Sequence, residues 1–262
     1  MKKEDIDFIP PKNDRMFKAV FMENKNCLKE FVSSLADIPI EEMKNLQISN
    51  SELPIANKNS KMPRLDLVVV LKNKIINIEI QLCSTKDFVD RSLFYWARLY
   101  SEVSVVSEDY GYLPQTICIN VLDYKMFKKD NDYKHSAYLM VESTKEKLSD
   151  KLQMHFFELP KISGHLDAKN NVELWLQFLK AESRKELKMI KKSGNTAVSD
   201  AAVVVMDKNS ELQKRIWKVQ QDVAELDEKL ALSQAREEGK QEIIDKLKSS
   251  GLSQEEIDKL LS

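Results

Sequence analysis

The feature that most restricts the fold of this chain is a pair of β-rich runs separated by a few polar residues. Arg64-Leu65-Asp66-Leu67-Val68-Val69-Val70-Leu71 is dominated by β-branched and leucine side chains, and Lys72-Asn73-Lys74 is a short turn. Ile75-Ile76-Asn77-Ile78-Glu79-Ile80-Gln81-Leu82 then alternates with period two. Together they read as an antiparallel hairpin. Alternation places Asn77, Glu79 and Gln81 on one face of the second strand and Ile76, Ile78 and Ile80 on the other. Asp66, Val68 and Val70 share a face of the first. A carboxylate among so many apolar neighbours is costly to bury unless it is paired or holds a cation.

Helices flank this hairpin. Asn13 or Asp14 can cap a helix striped by Phe17, Val20 and Phe21, and a second stripe follows at Leu28, Phe31, Val32 and Leu35. The polar stretch from Gln47 to Pro63 reads as a long loop. Lys86 to Val103 reads as helix, and Thr116–Leu122, Ala137–Val141 and Met154–Leu159 as further strands. This order predicts an α/β fold whose mixed central β-sheet is flanked by helices. Beyond residue 170 only helical patterns remain: Val172 to Lys192, the apolar patch Ala201–Met206, and a tail. In the tail, apolar residues at 212, 216, 219, 223, 226 and 230 form an a/d seam of a little over two heptads. The pattern breaks at Gly239, resumes from Glu242 to Lys248, and ends in a last helix capped by Ser253. The domain reading is an arm over 1–12, an α/β domain over 13–165, a helical extension over 166–209 and a short coiled-coil tail over 210–262.

Charge and composition narrow the function. Lys plus Arg total 41 against 42 Asp plus Glu, so contact with nucleic acid must come from local patches and not from bulk attraction. Only 5 glycines are present, and neither a Walker loop nor a GxGxxG appears, so no nucleotide cofactor is expected. Cys27, Cys83 and Cys118 lack CxxC spacing and fit reduced thiols of a cytoplasmic protein, with Cys83 and Cys118 read as small buried hydrophobes. No apolar run approaches the ~20 residues of a membrane span. His135, His155 and His165 lack metal-ligand spacing.

The chemistry therefore concentrates in Asp66, Glu79 and Gln81. Two carboxylates converging across a hairpin make a hard oxygen site suited to Mg²⁺, which polarises a phosphodiester and activates water. The competing reading is a solvated strand face on which Glu79 and Gln81 point to water. Arg91, Tyr95 and Arg98 at i, i+4 and i+7 read either as a phosphate-contacting face or as a core helix with snorkelling arginines. Lys180, Arg184, Lys185, Lys188, Lys191 and Lys192 form a second basic cluster, with Lys185 and Lys188 at its centre, which equally suits a solvated helix face.

Pro63-Arg64-Leu65-Asp66 followed by Glu79-Ile80-Gln81 resembles the split motif of PD-(D/E)XK phosphodiesterases. Three features are similar to one branch, the PD-(D/E)XK nuclease family transposases or recombination-promoting nucleases: Asn13 to Lys18, Arg64-Leu65-Asp66 with Asn77 to Gln81, and Arg91 to Tyr100; His155-Phe156-Phe157-Glu158-Leu159-Pro160 is a further match. The resemblance covers about residues 10–180. It implies a restriction-endonuclease-like core and a DNA endonuclease dependent on Mg²⁺, with Mn²⁺ or another divalent cation as substitutes. By that resemblance Asp66 and Glu79 are metal ligands, the Ile80 carbonyl is a third, and Asp14 and Lys18 approach from the first helix. Gln81 stands where the wider superfamily has Lys, although the narrower branch favours Gln; an amide can orient water but cannot act as an acid or base. Two other readings stay open at this point: an inactive DNA- or protein-binding module, and an oligomerisation tail on a structural core. The seam predicts a homodimer, with a fold back onto Ala201–Met206 as the alternative.

Overall fold

The structure, a computed structural model, describes residues 8–49, 65–101, 110–164 and 169–250. The last helix expected around Ser253 lies outside them, as does most of the loop to Pro63. The chain divides into two compact units, 1–207 and 208–262.

The first unit opens with α1 (Asp14–Glu23) and α2 (Lys25–Ala36). Asn13 caps α1 by accepting from the Met16 N–H at 3.3 Å, and Asn24 caps α2 through the N–H groups of Asn26 and Cys27. Strands β1 (Gln47–Ser49), β2 (Leu67–Leu71) and β3 (Lys74–Gln81) follow, then α3 (Phe88–Ser101) and β4 (Gln115–Leu122). The hairpin β5 (Lys134–Met140) and β6 (Lys147–Glu158) completes a six-stranded sheet of order β1-β2-β3-β4-β6-β5. Pairing is antiparallel for β1–β2, β2–β3 and β5–β6, and parallel for β3–β4 and β4–β6. Helices α4 (Asn171–Lys180), α5 (Arg184–Lys191) and α6 (Thr196–Lys208) follow the sheet. This mixed sheet with flanking helices is a restriction-endonuclease-like α/β fold, and the predicted hairpin is its β2–β3 pair.

The two faces of β3 go to different cores. Ile76, Ile78 and Ile80 join Val69, Ile117, Ile119 and Phe157 beneath α1, α2 and α4–α6. There Phe17, Phe21, Phe31 and Trp175 pack edge-on or tilted, with neighbouring ring centroids 4.7 to 5.7 Å apart across Phe17–Phe21, Phe21–Phe31, Phe31–Trp175 and Phe21–Trp175. The opposite face is covered by α3: Phe88 packs with Cys118, Leu122 and Phe156, while Leu99 packs with Leu65 and Val68. As the β3–α3–β4 crossover, α3 lies over the face that carries Asn77, Glu79 and Gln81.

Three expectations change. Gln47–Ser49 is an edge strand on β2, not loop, because the apolar β2 offers an open ladder to pair with. Cys118 is buried but Cys83 is exposed, since it falls two residues beyond the end of β3. The tail is not broken at Gly239: α7 runs unbroken from Glu211 to Ser249, 39 residues. A helical glycine costs about 1 kcal/mol. Strong helix formers on both sides and i,i+4 contacts such as Lys246–Glu242 at 3.2 Å and Gln241–Asp245 at 2.9 Å outweigh it. In this second unit the seam residues Ile216, Val219, Val223, Leu226 and Leu230 are 45 to 61% exposed.

Candidate active site

The end of the β2–β3 hairpin brings the two predicted carboxylates together. Asp66 lies one residue before β2, where the ladder with β3 stops at Leu67–Ile78. Its Oδ2 accepts from the Ile80 N–H at 2.8 Å, and its own N–H donates to Glu79 Oε1 at 3.3 Å. Each carboxylate thus occupies a backbone position that a further ladder rung would otherwise use. In a strand the N–H and C=O of one residue point the same way, so the Ile80 carbonyl faces the Asp66 side. Gln81 faces the other way, its carbonyl accepting from the Asp123 N–H at 2.8 Å. The solvated-face reading fails for Glu79, which is only 5% exposed.

Buried polar groups support this corner. Asn77, 1% exposed, shares this face of β3 with Glu79 and favours the charged form of its carboxylate. In the parallel register Glu79 lies beside Asn120, which accepts from Ser92 Oγ of α3 at 3.2 Å and donates to the His155 carbonyl at 3.4 Å. Asn120 and Ser92 went unnoticed in the sequence, although a lone asparagine inside Thr116–Leu122 was the available signal.

The electrostatics follow from burial. Desolvation pushes the Asp66 carboxyl upward, with a smaller push from Asp14, against the Ile80 N–H, Lys18 and Arg91, which lower it. Desolvation and then the Asp66 charge push Glu79 upward, against Asn77, the Asp66 N–H and Arg91. Asp14 and Lys18, paired at 2.7 Å on α1, act on the Asp66 carboxyl in opposite directions. Tyr95 is raised by burial and by Glu79. Arg91 and Tyr95 are half-buried, and Arg91 Nη2 donates to Gln81 Oε1 at 2.7 Å. Arg98 is half-buried on the next turns of α3. Lys185 and Lys188 are exposed on α5, whose Leu187 and Ile190 belong to the opposite core, so they are not gathered with the carboxylates. Lys180 leaves the basic cluster altogether, donating to the Ile162 carbonyl at 2.9 Å.

Nearby, Lys12 bridges Asp123 at 2.7 Å and Glu182 at 2.8 Å. Burial opposes its charge, but those two partners overcome it and raise its pKa. The last residue of the predicted arm thereby ties the end of β4 to the turn before α5.

Among the described residues no group of three or more His, Cys, Asp or Glu side chains is placed to hold a metal ion. Two carboxylates and a strand carbonyl remain as the donor set. That set suits a hard cation which keeps several waters and takes a substrate phosphate.

The family model of the PD-(D/E)XK nuclease family transposases matches residues 11–235. The chain belongs to this family. A search of the curated proteins and of the solved structures gives no match. Membership of the PD-(D/E)XK nuclease family transposases supports a nuclease-like, recombination-associated function. The match takes in the sheet, α3 and the helices after β6, and it runs into the first two-thirds of α7. Among the described residues no helix is long and apolar enough to cross a membrane.

Proposed function

We propose that this chain is a divalent-metal-dependent DNA endonuclease that hydrolyses phosphodiester bonds. The observation that carries this reading is the reciprocal pair at the hairpin end: Asp66 holds the Ile80 N–H, and Glu79 holds the Asp66 N–H. Two ionisable groups fixed by backbone in a buried corner, with their basicity raised, are arranged for a cation. Asp66, Glu79 and the Ile80 carbonyl would hold Mg²⁺ or Mn²⁺. Such an ion, when bound, lowers the pKa of an attacking water and offsets charge on the leaving oxygen.

The chain's own residues do the rest. Asp66 and Glu79 keep their oxygens convergent because backbone N–H groups fix both. Asp14 and Lys18 set the local field from α1. Tyr95 and Arg98 line the α3 side, where DNA phosphates approach, and Lys185 and Lys188 supply a separate cationic face to the same polymer. The seam of α7 pairs with that of a second copy, so that two single-strand-cutting sites act on one duplex.

The decisive measurement is nicking of supercoiled plasmid by purified full-length protein with Mg²⁺ or Mn²⁺, beside Asp66→Ala. Cleavage by the wild type alone supports the reading. Equal cleavage by both proteins, or none by either, overturns it.

A further inference from the structure

Gln81 occupies the strand position at which a lysine ammonium would present hydrogen-bond donors and no acceptor. A free glutamine presents both. Here, however, Arg91 Nη2 donates to Gln81 Oε1 at 2.7 Å. A guanidinium carries only donors, so this contact fixes which way round the amide sits: oxygen towards Arg91, NH₂ away from it. With its oxygen engaged by a cation, the amide offers its remaining partner N–H donors, and the adjacent charge polarises them.

Arg91 is itself held in place. It stands 5.9 Å over the ring of Phe88, which is buried against Phe156 and Tyr124. The next residue, Ser92, is tied to Asn120, the neighbour of Glu79 in the sheet. Helix α3 therefore delivers the guanidinium to Gln81 from the same buried face that positions Glu79.

Resting on the nuclease reading above, we propose that Gln81 and Arg91 act as one composite donor in place of a lysine. Gln81 Nε2 hydrogen-bonds the negative charge that develops on the attacked phosphate. Arg91 is the positioning residue that turns and polarises the amide. No proton is transferred to or from either side chain, and the contribution is electrostatic. This assigns Arg91 a role distinct from holding the DNA backbone.

The test is a rescue experiment on the full-length protein. Nicking is measured at saturating Mg²⁺ as separate kcat and KM, and binding of a DNA duplex is measured by fluorescence anisotropy in Ca²⁺. Arg91→Gln is expected to lower kcat about 100-fold, the usual cost of one oxyanion donor, with anisotropy Kd held within about threefold. Gln81→Glu keeps an acceptor for Arg91 but has no donor, and is expected to lose as much. This second variant tests the idea should Arg91→Gln fold poorly. Adding Gln81→Lys to Arg91→Gln is expected to restore kcat at least tenfold, because a lysine needs no arginine to orient it.

Two outcomes overturn the composite donor alone, given an active wild type. One is Arg91→Gln with intact kcat and DNA affinity weakened about tenfold, which would make Arg91 a phosphate contact. The other is absence of rescue by Gln81→Lys. A wild type as inert as Asp66→Ala overturns the nuclease reading and this proposal with it.

Discussion

Removing one negative charge from the hairpin end should stabilise the metal-free protein, and Glu79→Gln is the cleanest way to do so. Glu79 is 5% exposed, and the charge that acts on it most strongly is that of another carboxylate, Asp66. Burial, then the charge of Asp66, push it up to about 8 from an ordinary 4.5. Because the folded value lies above the unfolded one, the folded state binds more protons between them. Stability is therefore full below the unfolded value and is lost as pH rises through the folded one. At about 1.4 kcal/mol per pH unit, the ionised group costs about 4 kcal/mol near pH 8. Desolvating a replacement amide takes back about 1 kcal/mol, leaving about 3 kcal/mol in favour of the variant. For a unit of roughly 200 residues that is about 6 to 12 °C in Tm. Thermal melts in EDTA should show Glu79→Gln above wild type by that margin near about pH 8.5, and near parity at about pH 5. Adding Ca²⁺ at about pH 8.5 should raise the wild type and leave the variant unmoved. Equal melting temperatures at about pH 8.5, or a wider gap in acid, would refute the reasoning, since the carboxylate would then carry no burial penalty.

Asp66→Asn should abolish plasmid nicking while its circular dichroism matches the wild type; cleavage at the wild-type rate would remove Asp66 from the site. Truncation after Asn209 should turn a dimer into a soluble monomer that still nicks DNA, as read by sedimentation, because five seam residues of α7 are 45 to 61% exposed. Full-length protein already monomeric at tens of micromolar, on the order of a weak dimer's affinity, would defeat the dimer. Phe21→Ala opens a cavity where Phe17, Phe31 and Trp175 meet. It should cost about 3 to 5 kcal/mol in denaturant unfolding, and a loss below about 1 kcal/mol would show that the cluster re-closes.

Strand periodicity is a local property, so the hairpin, the face shared by Asn77, Glu79 and Gln81, and the apolar stripe of α1 were all legible in the residues themselves. So was the likeness carried by Asp66, Glu79 and Gln81, whose separation is set by a short turn. The environment of those residues was not legible. Period two puts Glu79 and Gln81 on one face but cannot say what covers it, and the answer is a helix that begins seven residues after Gln81 and returns across the sheet. That crossover buries Glu79, turns Arg91 inwards to the Gln81 oxygen, and sets Ser92 against Asn120. The basic cluster shows the same limit. Lys180, Lys185 and Lys188 look alike in sequence, yet packing spends Lys180 on a carbonyl and leaves the other two exposed on the far side of the sheet from α3. Sequence spacing fixes which residues share an element's face, whereas charge, burial and partner depend on the elements that arrive from elsewhere in the chain, and here those are α1 and α3.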